Sequence, residues 1–371
     1  MTSQTPRSPK EISLTWLDSV LVNDEFEGSN LIGFEVESVG ETVGFLGDLF
    51  RIKPRYESNS ERYPESLIIK FPTLRNADSR EAGNGLFAYE REAMFYRHFA
   101  NECPANPPRY YHSEYMGESE EYVLLMEDLK DARFIEQVDG ICKADAVSVV
   151  EGLAKLHAHY WQSTLLLSSS WLRGFEQWGV IYPSQIDVGW PLMKQNFGYL
   201  IPDQFMDLFP IANDAYPAIS EYMQSHRPNT LVHGDARMEN MAFEMIDGKE
   251  RLRIYDWQLV SSGPAAYDLA YFFCSSVNPD QWTEWGQNLI DIYHESLCSN
   301  SVSDYSKEQL VDDMRLSLCL LLGFISMVGN IVVPDEAGKS VAEASLPRFW
   351  AIMEALDVGG SLQTFLEGRQ K

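Results

Sequence analysis

The residues best suited to chemistry lie between Leu231 and Trp257. The segment reads L-V-H-G-D-A-R-M-E-N-M-A-F, then a short polar turn, then R-L-R-I-Y-D-W. An apolar, strand-like run delivers His233, Gly234 and Asp235. Asn240 follows, and a second strand-like run ends in Asp256. Two carboxylates and an amide at the ends of extended segments offer the oxygen ligands that a hard magnesium ion takes. A carboxylate not engaged by metal can orient a hydroxyl nucleophile. The competing reading is a plain hairpin in which Asp and Asn serve as turn formers.

Spacing favours the chemical reading. An Asp, four intervening residues and an Asn form the catalytic-loop pattern of kinases, and a separate downstream Asp binds the metal that bridges the phosphates. H-G-D-x-x-x-x-N followed by I-Y-D-W-Q resembles the aminoglycoside phosphotransferase and choline kinase superfamily. D-W-Q and the later Y-D-L-A-Y-F (Tyr267–Phe272) are most similar to its ecdysteroid-kinase-like and related bacterial branch. The resemblance runs from about residue 30 to 330. It implies an α+β, protein-kinase-like fold of two lobes. The small lobe would hold an antiparallel sheet plus a helix, and the large lobe would be mostly helical. The boundaries expected are 1–128 for the nucleotide-binding lobe, with a polar tail over about 1–12, and 129–371 for the catalytic and acceptor-binding lobe.

Such a site needs elements upstream to hold phosphate. Residues 34–39 alternate apolar and polar, as a half-buried strand does. A glycine-containing stretch with Gly40, Gly44 and Gly47 follows, then a second strand near residues 49–53. Glycines let backbone N–H groups approach phosphate closely, although a hairpin explains the same pattern. A third strand, residues 66–71, ends with Lys70 beside Phe71. A buried ammonium needs a partner, whereas an edge lysine only discourages aggregation. In kinases this lysine holds the α- and β-phosphates and pairs with a helix glutamate. The helix predicted over residues 86–99 offers Glu90 and Glu92, which point in different directions. The family pattern R-E-x-x-F-Y selects Glu92, with Glu90 as the fallback. The strand over 121–126 leads into Met126, Glu127, Asp128 and Leu129, which the resemblance makes the hinge whose backbone meets adenine.

From about residue 130 the pattern turns helical. His157 and His159 are two apart on a predicted helix, so they do not share a face as a zinc pair would; they read as core and surface histidines. Asp268 opens a helix, where a charge favours the N-terminus; the resemblance makes it a brace for the catalytic loop. His233 is expected to fix that loop. For Arg237 two readings stand, a contact to the transferred phosphate and a structural ion pair. A charge-free run over 316–333 reaches the lower length of a spanning helix, but its polar interruptions and lack of an aromatic belt favour a buried helix.

Composition narrows the rest. A net charge of −26 over 371 residues argues against nucleic acid or an anionic membrane as partner. Five scattered cysteines without C-x-x-C argue against a disulfide scaffold or zinc site and fit a reducing cytoplasm. The polar N-terminus is not expected to be a signal peptide.

The resemblance thus implies ATP and Mg2+ as cofactors and a small-molecule alcohol as acceptor, with no obligatory protein partner. Asp235 would orient or deprotonate the hydroxyl, and Asn240 and Asp256 would hold magnesium. Eleven residues separate Asp256 from Asp268, too few for the activation loop of a protein kinase. The alternative is a catalytically degenerate kinase-fold nucleotide-binding or scaffold protein. The acceptor stays open among aminoglycoside, choline-like, steroid and macrolide alcohols, as does ATP against GTP.

Overall fold

Alternating apolar residues build the first sheet. The computed structural model describes residues 5–21, 31–39, 46–57, 63–73, 77–117, 121–331 and 336–369. Strands β1 (Leu31–Ser38), β2 (Gly47–Tyr56), β3 (Leu67–Pro72), β4 (Tyr110–Met116) and β5 (Glu121–Glu127) form a five-stranded sheet in the order β1-β2-β3-β5-β4. Every neighbouring pair is antiparallel. All six residues of β3 are buried, so Lys70 stands on the central strand rather than an edge. Strand alternation sends Leu67, Ile69 and Phe71 to one face and Lys70 to the other. The first face packs with Trp16, Leu17 and Leu21 of helix α1 (Leu14–Leu21), Ile52, Val123 and Leu125.

The helix expected over 86–99 is α3 (Ala88–His98), and a further helix, α2 (Ala77–Gly85), precedes it. The chain breaks at Phe87, whose φ of +56° is left-handed. Phe87 N–H bonds back to Asn84 O, and the Leu86 carbonyl accepts from Arg91 Nε.

The chain divides into two compact units: Met1–Ala132 with Arg253–Leu259, and Arg133–Leu252 with Val260–Lys371. A single cut at 128/129 misses the return of Arg253–Leu259 to the first unit. That return is held by tertiary contacts. Ile254 N–H bonds Ala105 O at 3.1 Å, and Trp257 stacks on Phe95 of α3 at 3.8 Å between ring centroids, 8° from parallel.

The second unit is mostly helical: α4 (Lys143–His159), α5 (Thr164–Ser168), α6 (Trp178–Phe197), α7 (Asp203–Met206), α8 (Leu208–His226), α9 (Ala266–Ser276), α10 (Pro279–Ser299), α11 (Lys307–Ile331), α12 (Glu336–Ala355) and α13 (Val358–Arg369). Short strands interrupt it. β6 (Arg133–Phe134), β8 (Met241–Ile246) and β9 (Lys249–Ile254) form one sheet, and β7 (Thr230–Val232) pairs with β10 (Ser261–Gly263). The polar turn between β8 and β9 is Asp247-Gly248. The apolar run at 316–333 falls largely in α11. Among the described residues no helix is long and apolar enough to cross a membrane.

Candidate functional site

In the first unit, one lysine gathers two carboxylates from distant parts of the chain. Lys70 Nζ lies 3.0 Å from Glu92 Oε1, 2.9 Å from Glu92 Oε2 and 2.8 Å from Asp256 Oδ1. Glu92, not Glu90, is the partner from α3. The register of β3 fixes the face and the pitch of α3 fixes the glutamate. Burial opposes the ammonium charge, but Asp256 and Glu92 outweigh it and hold Lys70 above its ordinary range, protonated. Burial pushes the Glu92 carboxyl up, against the pull of Lys70. Tyr122 on β5 donates its hydroxyl to Glu92 Oε2 at 2.8 Å. Asp256 occupies a left-handed turn, φ +63°, a conformation Asp adopts more readily than most residues.

Gly47 opens β2 beside this cluster. A Cβ there would meet Lys70 Cε at 2.8 Å, so the glycine makes room for the lysine tail. Gly40 and Gly44 lie outside the described residues. In the 126–129 segment both acidic side chains are engaged by arginines. Asp128 receives Arg51 Nε at 2.6 Å and Nη2 at 3.2 Å, and Glu127 receives Arg109 N–H at 2.9 Å and Arg253 Nη2. Met126 and Leu129 are buried.

The second unit holds the H-G-D-x-x-x-x-N loop. Asn240 Nδ2 donates to Asp235 O at 2.9 Å and to Asp235 Oδ2 at 2.8 Å. Asp235 Oδ1 is buried without a hydrogen-bond partner. Arg237 pairs with Asp235 at 3.4 Å and with Glu239 at 3.3 Å. Gly234, at φ +87°, supplies the backbone turn that non-glycine residues resist. Asp268 braces the loop: it accepts His233 N–H at 2.6 Å and Gly234 N–H at 2.9 Å. The His233 ring accepts Asp235 N–H at Nδ1, 3.2 Å away.

Asn240 donates both of its bonds to Asp235 through its nitrogen, so its carbonyl oxygen is the atom suited to a hard cation. Among the described residues no cluster of three or more His, Cys, Asp or Glu could hold a metal ion.

Several participants escaped the sequence reading. His157, read as a core histidine, is fully buried, and it also supports Asp268: Nε2 lies 3.2 Å from Asp268 Oδ2 and Nδ1 2.7 Å from the Tyr293 hydroxyl. A ring that donates to Asp268 at Nε2 and accepts the Tyr293 hydroxyl at Nδ1 satisfies both contacts. Tyr271 sits beside Asp235; burial first, and then the Asp235 charge, push its hydroxyl well above the ordinary range. Its only sequence signal was its place three residues beyond Asp268.

The family model described as ecdysteroid kinase-like matches residues 42–160 and 201–303, more than half of the chain. No curated protein matches the sequence. Among solved structures, a candidate aminoglycoside phosphotransferase from Ralstonia eutropha aligns with TM-score 0.53 and 13% identity, covering 92% of this chain and 96% of that one. It shares the protein-kinase-like α+β fold. A choline/ethanolamine kinase family protein from Mesorhizobium loti aligns with TM-score 0.47 and 16% identity, covering 94% and 97%. A choline kinase from Streptococcus pneumoniae aligns with TM-score 0.48 and 13% identity, covering 94% and 99%.

Proposed function

The chain belongs to the ecdysteroid kinase-like family, and we propose that it transfers the γ-phosphoryl group of ATP to a hydroxyl of a small molecule. The observation that carries this reading is the protonated, buried Lys70 between Glu92 and Asp256. Burying an ammonium with two carboxylates is costly. A phosphate-binding task accounts for that cost, because an incoming phosphate takes over part of the ion pairing.

Each residue then has a task. Lys70 binds the non-transferred phosphates, and Glu92 holds it in place. The backbone of 126–129 meets the base. The Asp235 carboxylate accepts the acceptor's O–H. As the acceptor oxygen forms its bond to the γ-phosphorus, the bond from that phosphorus to the bridging oxygen breaks. The proton passes to Asp235 and ADP leaves. Asn240 and Asp256 would be the residues to hold magnesium, which would neutralise charge on the phosphates. Positioning and charge neutralisation supply most of the rate. The short Asp256–Asp268 connection supports a small-molecule acceptor over a protein. A reducing cytoplasm is the proposed setting, from five scattered cysteines without C-x-x-C.

The direct test is calorimetric titration of the protein with ATP, with and without magnesium. Asp256→Ala should abolish magnesium-dependent binding; binding unchanged from the unaltered protein would refute the assignment.

A further inference from the structure

We propose that Tyr122 is a positioning residue for the phosphate-binding lysine, acting through Glu92; the proposal rests on the nucleotide reading above. Glu92 is fully buried, so each carboxylate oxygen needs donors from the protein. Lys70 is the ionic partner, yet its ammonium is shared with Asp256 at 2.8 Å. The Tyr122 hydroxyl, 2.8 Å from Oε2, is a donor to Glu92 that does not depend on the lysine. When a phosphate draws the ammonium toward itself, this bond keeps the carboxylate in place.

Sheet register explains why position 122 reaches Glu92. Lys70 on β3 pairs with Leu124 on β5, and Tyr122 lies two residues along, hence on the same face. Its ring is fixed as well. Tyr122 stacks on Tyr89 with centroids 5.5 Å apart and planes 28° from parallel. Tyr89, one turn before Glu92 on α3, donates its own hydroxyl to Leu46 O at 2.7 Å. Gly83 leaves the space: a Cβ there would meet the Tyr89 hydroxyl at 2.7 Å. Both tyrosines are 1% exposed. The hydroxyl that holds Glu92 is therefore placed by a packed pair anchored to the backbone beside Gly47.

The test is a double-mutant cycle read by calorimetric Mg-ATP affinity, not by turnover. Tyr122→Phe keeps the ring stack and removes only the hydroxyl. One charge-assisted hydrogen bond lost corresponds to about a tenfold or greater weakening of nucleotide binding. If Tyr122 acts through Glu92, Tyr122→Phe added to Glu92→Ala has no further effect on affinity, because coupled residues are non-additive. Should Glu92→Ala fail to fold, Lys70→Ala serves as the second background, with the same expectation. Unaltered affinity in Tyr122→Phe, or the same tenfold loss repeated in either background, would overturn the proposal. Absence of nucleotide binding by the unaltered protein would overturn the nucleotide reading and the proposal with it, an outcome distinct from wild-type binding with an inert Tyr122→Phe.

Discussion

Alanine at position 47 puts a methyl group where Lys70 lies. Its Cβ would stand 2.8 Å from Lys70 Cε and 3.2 Å from the Phe71 carbonyl oxygen. A free lysine tail would swing aside at little cost. This one is held at 2.9 Å by Glu92 and 2.8 Å by Asp256, so moving the tail lengthens at least one of those contacts. A hydrogen bond to a charged group contributes about 1.5–3 kcal/mol, which converts to roughly a 10- to 100-fold loss of nucleotide affinity. Folding stability responds in the opposite sense. Replacing a strand glycine gains about 0.5–1 kcal/mol from reduced unfolded-state entropy, which offsets part of the strain. Gly47→Ala should therefore change the thermal midpoint little while weakening Mg-ATP binding in a calorimetric titration. Gly85→Ala is the control, because a Cβ there meets nothing within 4 Å. Wild-type nucleotide affinity in Gly47→Ala would refute the reasoning that this glycine exists to clear the lysine.

Asp268→Asn replaces an acceptor-only carboxylate with an amide facing two backbone N–H groups and His157. It should cost roughly 2–3 kcal/mol and lower the unfolding midpoint; an unchanged midpoint would contradict the brace. Phe95→Ala removes the stack that holds Trp257 at 3.8 Å and should destabilise the protein by about 3–5 kcal/mol in denaturant unfolding. Indifference there would mean Trp257 is held by other contacts. Asp313, buried against Arg227 and Tyr305, has its carboxyl pushed up to about 6 by burial. A folded-state value above the unfolded one favours the protonated form. Its contribution is greatest below about pH 4 and is lost as pH rises through 6, about 3 kcal/mol in all. Asp313→Asn should flatten that part of the stability–pH curve between pH 4 and 7, and an identical slope would contradict the assignment.

What could be read in advance were features set by local order along the chain. Lys70 was legible because an apolar run ending in lysine, after a glycine-containing hairpin, has few uses. The pairing of Asn240 with Asp235 was legible because their spacing puts both on one loop. Glu92 over Glu90 needed the family pattern, since both lie on one helix and only packing tells which turns toward β3. Tyr122 was hidden because β5 pairs with β3 across a gap in sequence, so its face follows from register rather than from neighbours. His157 was rightly placed in the core, but its link to Asp268 spans α4 and α9 and left no trace in spacing. Position 253–259 was assigned by its place in the chain. Its contacts to Ala105, Asn106 and Phe95, which return it to the first unit, are tertiary.

The central claim is phosphoryl transfer to a small-molecule hydroxyl with Asp235 as the residue that takes the hydroxyl proton. Phosphorus NMR of the purified protein with Mg-ATP and a panel of aminoglycoside, choline-like, steroid and macrolide alcohols tests it most directly. The expected result is a new phosphomonoester with at least one alcohol, matched by stoichiometric ADP and absent from Asp235→Ala. Tight Mg-ATP binding with no ester from any alcohol, or an ester formed equally well by Asp235→Ala, would contradict it.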